Sequence, residues 1–396
     1  FALAAWLWLL PAYLLVGFVR LLGLWVSIML ESFLWQREAQ YPFALAGLVK
    51  LALFLWLLPV LDLPLLILIE LAVEGALLLL LITLAAGRWR RDPQRDAGTA
   101  DWFRRHRGRV LRFGFWGLLQ SQSNLLYGSA PNRLVAAHYL PAAEVALYGM
   151  ADNLMNLVRR VLPTQLFIGL LRPVMMARFA VEGDIARVAW IADLAYRLNL
   201  GILVLGLALV IPVGAPLLDS LTQGKYGAAA WLIAGLLVLV SGEAFRVVSE
   251  LLAQAAERNQ TLFITNLVLS ASLFLALPLL PWLGVWALIL ANYLGTLATN
   301  LLTLWYLRRS GYPFVRNRRQ ALCLLGYGAL AGALGEAVTR LGLPPWPSAV
   351  LIAVSYTALL LWRPPLEPDE RAVLRQLLAR RTSRRSAAPV SAGPAA

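Results

Sequence analysis

The stretch RFGFWGLLQSQSNLLYGSAPNRLVAAHYL (residues 112–140), followed by LYGMADNLMNLVRRVLPTQLFIGLL (residues 147–171), is long and apolar enough for two membrane-spanning helices. Each predicted helix also carries a stripe of polar side chains, spaced i, i+4, i+7 so that they share one face. The stripes are Gln120, Asn124 and Tyr127 on the first helix, and Asp152, Asn156 and Arg159 on the second. Facing stripes of this kind predict a hydrated cavity between membrane helices.

Three arginines of this stretch, Arg133 and the pair Arg159 and Arg160, fall where hydrocarbon is expected. A charge at that depth costs about 2.5 to 3.5 kcal/mol on insertion scales, so these side chains are expected to face protein or water. They outnumber the one acid nearby, Asp152, and unpaired guanidinium groups suit bidentate binding of a diphosphate. Arg133 follows Pro131 and has a second interpretation, a position at the outer headgroup level.

Composition places the whole chain in the membrane class. Of 396 residues, 60% are hydrophobic, the mean hydropathy is +0.70, and apolar runs of helix length recur along the sequence. The sequence therefore predicts an all-α, polytopic transmembrane helix bundle. The net charge of +14 indicates membrane topology and anionic lipid as its cause, with no nucleic-acid partner.

Eleven membrane helices are predicted from the apolar runs. They cover about 10–33, 43–60, 64–86, 112–137, 146–170, 190–212, 227–252, 261–281, 284–306, 321–340 and 347–362. The arginine-rich linker 87–111 separates the third helix from the fourth. If the linker is cytoplasmic, most arginines fall on the same side, and only Arg133, Lys225 and Arg340 lie at the opposite loops, as the positive-inside rule requires.

Further charged residues lie inside predicted helices. Glu70 and Glu74 are one turn apart, so they share a face. Glu243 and Arg246, with Glu250, form a self-neutralising stripe on a later helix, which fits either the locking of two helices or the coupling of an ion. Arg20 and Lys50 are long enough to extend toward the membrane interface, and for Arg20 a place in a pocket is the second interpretation.

Several kinds of chemistry find no support in the sequence. Cys323 is the only cysteine, and His106 and His138 have no partners at ligand spacing, so neither a metal site nor a cofactor is predicted. No phosphate-binding loop of the Walker type occurs, and no Ser-His-Asp arrangement is plausible. These observations favour a protein that is not an enzyme.

Four short motifs resemble a known family. They are Asn132–Val135 (NRLV), Glu144–Gly149 (E-x-x-x-Y-G), Arg172-Pro173 with Glu182-Gly183-Asp184, and Gly224–Ala228 (GKYGA). Together with the order of helices around the basic linker, they resemble the oligosaccharide (O-antigen type) flippases of the multidrug/oligosaccharidyl-lipid/polysaccharide exporter superfamily. The resemblance covers about residues 10–320.

The resemblance implies a two-lobed exporter-type fold that here lacks its first helices. The expected parts are a partial N-terminal lobe of about three helices, a basic cytoplasmic inter-lobe linker, a C-terminal lobe of six helices, two further helices, and a basic, mostly disordered cytoplasmic tail. Their bounds are 1–86, 87–111, 112–306, 307–363 and 364–396.

The implied function is translocation of an undecaprenyl-diphosphate-linked oligosaccharide by alternating access, for surface polysaccharide and lipopolysaccharide biosynthesis. The expected location is the bacterial cytoplasmic (inner) membrane, with membrane lipids and other polysaccharide assembly proteins as further partners. Predicted substrate-binding residues are Arg133, Arg159 and Arg160 for the diphosphate, and Gln120, Asn124 and Asn156 for sugar hydroxyls. Predicted residues for coupling or helix locking are Glu70, Glu74, Glu243 and Arg246.

Two other functions fit parts of the sequence. A Na⁺- or H⁺-coupled small-molecule exporter of the same superfamily would have an acid-dominated cavity, which the excess of arginine disfavours. A membrane glycosyltransferase, polymerase or ligase that acts on lipid-linked sugars would need a large outer loop with catalytic residues, and none is predicted.

Overall fold

The architecture is entirely helical in the part of the chain that the structure describes. A computed structural model describes residues 9–33, 35–91, 99–123, 126–165, 185–311, 318–342, 344–365 and 370. Helices make up 91% of these residues, and they contain no strand. The predicted all-α, polytopic helix bundle is therefore confirmed.

Twelve α-helices are delimited within these ranges. They are α1 (Leu9–Ser32), α2 (Gln36–Leu57), α3 (Leu63–Arg91), α4 (Thr99–Ser123), α5 (Ser129–Tyr139), α6 (Ala142–Val161), α7 (Ile185–Thr222), α8 (Ala229–Ala255), α9 (Asn259–Leu283), α10 (Val285–Arg309), α11 (Arg318–Arg340) and α12 (Pro345–Trp362). A 3₁₀ turn, Leu58–Val60, extends α2.

Nine of these helices are long and apolar enough to cross a membrane, so the chain is a multi-pass membrane protein. They are α1 to α3 and α7 to α12. The predicted number was eleven. The two remaining predictions, 112–137 and 146–170, correspond to α4 to α6, which do not meet the same combination of length and apolarity among the described residues.

The prediction of one continuous helix over 112–137 was wrong. The chain turns between α4 and α5, where Gly128 has φ +114°, a conformation that glycine adopts most readily. The basic segment is also more helical than expected, because α3 continues to Arg91 and α4 begins at Thr99. A helical pattern of apolar residues on both sides of Gly128 concealed this turn.

The helix predicted at 146–170 is interrupted at Leu162, and residues 163–165 are helical again. Helix α6 stops at Val161, and Leu162 is extended, with ψ 135°. The cause is Pro163, whose ring disfavours a helical conformation in the preceding residue. The part of the prediction from 166 to 170 lies outside the described residues.

The helices pack into two compact units. The first contains the described residues through Leu118, with α1 and α2 packed on α3 around a small core that includes Leu30, Leu77 and Leu81. The second contains Leu119–Thr164 and the described residues from Ile185 onward. Helix α8 lies at the centre of the second unit, with α6, α7 and α10 packed against it.

Close helix contacts in the second unit depend on small residues. Gly295 of α10 lies against Ser272 of α9, and Gly328 of α11 lies against Val204 of α7. A Cβ atom at either glycine would overlap its neighbour. Membrane helices commonly approach each other through small residues, because dispersion contacts replace the hydrophobic effect between helices in lipid.

Candidate functional site

A chain of polar contacts connects α5 to α6 in the second unit. Arg133 of α5 donates from Nε to Oδ2 of Asp152 on α6 at 2.8 Å, and its Nη2 lies 2.7 Å from the same oxygen. The Nη2 group also donates to Oδ1 of Asn153 at 2.5 Å. The Asp152 side chain is only 2% exposed, so the ion pair compensates a carboxylate that the fold has removed from solvent.

The same chain continues from α6 to α8. Arg159 of α6 donates from Nε to Oε2 of Glu243 on α8 at 2.9 Å, and its Nη1 lies 3.7 Å from Oδ1 of Asp152. Asn156 accepts from Arg159 Nη1 at 3.0 Å. Two arginines and two acids therefore alternate across three helices, and their formal charges cancel.

Tyr127, in the turn before α5, extends the network to α10. Its hydroxyl donates to Oε1 of Glu243 at 2.6 Å, and the Thr296 hydroxyl lies 3.2 Å from the same phenol oxygen. The guanidinium of Arg246 lies over the Tyr127 ring, 5.7 Å from its centroid, and pairs with Glu250. We call the contacts from Arg133 to Thr296 the ion-pair network.

The network overturns the premise that the predicted arginines are unpaired. Arg133 and Arg159 each bind a carboxylate, because the fold brings Glu243 against Arg159 from a helix that lies 84 residues later in the chain. Of the three predicted arginines, only Arg160 is exposed and forms no ion pair with a described residue. The substrate roles of these three arginines remain predictions.

The other polar residues that the sequence predicted for the site lie in different places. Asn156 lies inside the network, where its Oδ1 also faces the Ser129 hydroxyl at 3.4 Å. Gln120 is half-buried near the end of α4, and Asn124 lies outside the described residues. Glu243 pairs with Arg159 instead of Arg246, so the predicted stripe on α8 is not self-contained.

A second cluster of charges lies in the first unit. Lys50 of α2 places its Nζ 3.0 Å from Glu70 Oε2 and 3.0 Å from Glu74 Oε1, both on α3. Arg20 of α1 contacts the same two carboxylates, with its Nη2 3.0 Å from Glu74 Oε1. Both cations therefore pair with acids of a neighbouring helix, which is the pocket-type interpretation of Arg20.

The second unit also contains a cavity of about 800 Å³ between α7, α8, α10 and α11. Most of the lining side chains are apolar or aromatic. The lining also contains three uncharged polar residues, Ser241, Thr296 and Asn300, and two arginines, Arg308 and Arg318. Four lining leucines are 42 to 66% exposed, so the cavity is open on one side; they are Leu297, Leu301, Leu322 and Leu325.

The chemical character of the cavity lining changes along the helix axes, from uncharged polar residues near the middle to arginines at one end. Thr296 lies near the middle of α10 and Arg308 in its last turn, about 18 Å further along at about 1.5 Å per residue. Arg318 begins α11 at the same end. No acid lines the cavity among the described residues, and neither arginine forms an ion pair with a described residue.

The cavity and the ion-pair network share a wall. Thr296 lines the cavity and contacts Tyr127, and Gly242, another lining residue, immediately precedes Glu243. Sequence reasoning missed this cavity and treated Arg308 and Arg318 only as topological charges. A signal was present in the polar face of α10, where Asn292, Thr296, Asn300 and Thr303 recur at helical spacing.

Comparisons of this chain with family models, with curated proteins and with solved structures found no match. The family resemblance therefore stays an expectation. Among the described residues, no group of three or more His, Cys, Asp or Glu side chains is arranged to hold a metal ion.

Proposed function

We propose that this chain is a flippase for a lipid-linked oligosaccharide carried on undecaprenyl diphosphate, and that it works in the bacterial cytoplasmic membrane. The observation that carries the proposal is the cavity of about 800 Å³ in the second unit. Its volume lies within the range of sites that bind small molecules, roughly 300 to 1,000 Å³. The proposal requires no covalent chemistry, so the chain would act as a transporter and not as an enzyme.

The lining of the cavity matches the three chemical parts of such a lipid. Exposed leucines along its open side suit an isoprenoid chain that stays in the bilayer. Arg308 and Arg318 offer guanidinium groups, which form bidentate contacts with phosphate oxygens. Ser241, Thr296 and Asn300 offer hydroxyl and amide groups to sugar hydroxyls.

The ion-pair network supports the transport part of the proposal. Arg159 contacts acids on two helices, Asp152 on its own helix and Glu243 on α8. We infer that this pairing permits two arrangements of similar chemistry, in which Arg159 strengthens one contact as it weakens the other. Alternating access needs helix pairs with two discrete arrangements of this kind.

The alternative of a cation-coupled exporter draws on Glu70 and Glu74. Both carboxylates are already paired with Arg20 and Lys50, so this cluster holds two positive and two negative charges. This balance favours a role in joining α1, α2 and α3, and the flippase remains the better-supported proposal.

The test uses the full chain in proteoliposomes with a fluorescent undecaprenyl-diphosphate-linked saccharide. The measured quantity is the fraction of the lipid that reaches a membrane-impermeant quencher over time. Wild-type protein is expected to move the lipid between leaflets, and vesicles without protein are not. Equal rates in the two kinds of vesicle would contradict the proposal.

Arg308→Ala with Arg318→Ala then tests the cavity. Each lost hydrogen bond to a charged group is worth about 1.5 to 3 kcal/mol, so lipid affinity should fall by at least about tenfold. The matched control is Arg309→Ala with Arg319→Ala, which removes two neighbouring arginines that do not line the cavity. The same affinity in both double variants would show that the cavity does not bind the headgroup.

A further inference from the structure

A buried arginine joins α7 to the chain that follows α12. Arg197 of α7 donates from Nε to Oδ2 of Asp193 at 2.8 Å and from Nη1 to Oε2 of Glu370 at 3.0 Å. Its Nη2 contacts the other oxygen of Glu370, so the pair is bidentate. The side chains of Arg197, Asp193 and Glu370 are 4%, 5% and 0% exposed. Sequence reasoning had not selected any of these residues.

Further contacts hold the described residues after α12, 363–365 and 370, against the second unit. The Pro365 carbonyl accepts from Arg197 Nη1 at 3.4 Å, and the Arg363 carbonyl accepts from the Tyr327 hydroxyl of α11 at 2.9 Å. We call residues 363–365 and 370 the C-terminal strap. Its described residues contact α11 through Tyr327 and α7 through Arg197, and α11 also begins with the cavity residue Arg318.

The strap contacts α7 next to the cavity. Tyr196, the neighbour of Arg197, lines the cavity and packs edge-on against Phe245 of α8, with ring centroids 5.2 Å apart. Phe245 lines the cavity as well. Arg197 is therefore anchored directly beside the aromatic wall of the cavity.

We propose that the C-terminal strap regulates access to the cavity, with Arg197 and Glu370 as positioning residues for the aromatic wall formed by Tyr196 and Phe245. When Glu370 holds Arg197, the wall is fixed. When that contact is released, α7 loses a bidentate anchor, and the wall becomes free to move away from α8. The inference rests on the proposed function only for the identity of the ligand that the cavity admits.

The experiment measures the reactivity of a thiol inside the cavity. Cys323→Ser removes the only native cysteine, and Ser241→Cys then places a single thiol in the cavity lining. Glu370→Gln keeps the shape of the side chain and removes its charge. In the protein with Glu370→Gln, a small methanethiosulfonate reagent is expected to label the Ser241→Cys thiol about tenfold faster than in the protein that keeps Glu370. This rate ratio corresponds to about 1.4 kcal/mol in the opening equilibrium.

Two controls separate gating from a general loss of stability. The first control is a thiol reporter at Ser220, which lies outside the cavity. The native Ser220 hydroxyl, like that of Ser241, donates to a carbonyl of its own helix, so the two positions are locally similar. Glu370→Gln should not change the labelling rate of Ser220→Cys. Glu336→Gln removes an exposed ion pair with Arg340 and should leave the Ser241→Cys reporter unchanged as well.

Conservative variants complete the test. Glu370→Asp keeps the charge and should return the labelling rate toward that of wild type. If Glu370→Gln does not fold, Arg197→Lys provides the same measurement, because it keeps the charge and loses the bidentate contact. An unchanged rate at Ser241→Cys would overturn the strap proposal even if the unfolding temperature falls. No lipid substrate enters this assay, so failure of the flippase proposal would not affect it.

Discussion

Arg159 shows how this protein keeps charged side chains among apolar helices. Its guanidinium reaches Glu243 and Asp152, and each of these acids has a further partner, Tyr127 for Glu243 and Arg133 for Asp152. A partly buried ion pair of this kind adds little to stability by itself. Removal of one member is costly, because the other charge remains in surroundings of low polarity.

Arg159→Ala should therefore destabilise the second unit by about 3 to 5 kcal/mol, whereas the neighbouring Arg160→Ala should change little. Arg160 is exposed and has no ion pair among the described residues. The measurement is thermal unfolding of both variants in the same detergent. In a double-mutant cycle, Arg159→Ala with Glu243→Ala should cost less than the sum of the single changes. Additive costs would show that the two side chains are not coupled.

The sequence located these charged positions but not their partners. Intramembrane arginines stand out in an apolar run, and the spacing of Asp152, Asn156 and Arg159 correctly places them on one side of α6. Glu243 lies 84 residues from Arg159. Contacts over that separation depend on which helices pack together, and helical periodicity does not contain this information.

At the scale of the helix, prediction was most accurate where an apolar run ends at a glycine or a cluster of arginines. Helix α10 was expected at 284–306 and spans Val285–Arg309, after Gly284 and up to Arg308 and Arg309. It was least accurate at α4 and α5, because the turn at Gly128 is short and both of its flanks look helical. The presence of a glycine in a helix did not predict whether another helix packs against it.

Two glycines of α11 provide a matched test of helix packing. A Cβ at Gly328 would overlap Val204 of α7, whereas a Cβ at Gly326 would meet nothing within 4 Å. Gly328→Ala should destabilise by about 1 to 3 kcal/mol, as overpacking commonly does. Gly326→Ala should be neutral or stabilise by up to about 1 kcal/mol, because alanine favours the helix. Unfolding midpoints in detergent measure both, and equal shifts would contradict the observed helix contact.

The positions of the arginines limit how many times the chain crosses the membrane between α3 and α7. Arginines follow the end of α3 and precede the start of α7, so both ends are expected on the cytoplasmic side. With that orientation, the sequence between Arg91 and Ile185 is expected to contain an even number of membrane crossings. Two crossings there, added to the nine apolar helices, would give the eleven that the sequence predicts.

This topology predicts the accessibility of single thiols in intact cells. In a Cys323→Ser background, Lys225→Cys and Gly342→Cys should react with a membrane-impermeant reagent added outside. Arg105→Cys and Glu257→Cys should react only after the membrane is permeabilised. The reason is the basic charge around Arg105 and Arg258, which by the positive-inside rule is expected to keep these loops in the cytoplasm. Labelling of Arg105→Cys in intact cells would reverse the assigned orientation.

Thr296 belongs both to the cavity wall and to the ion-pair network, and this double membership has a genetic consequence. A substitution at Arg133 changes the charges that hold Glu243 and Tyr127, and through them the side chain that a ligand would contact. Variation at Arg133 and at Arg308 should therefore be epistatic, so that the phenotype of one depends on the residue at the other. Suppressors of a defect in the cavity are then to be sought on α5 and α6, on residues that no ligand in the cavity touches.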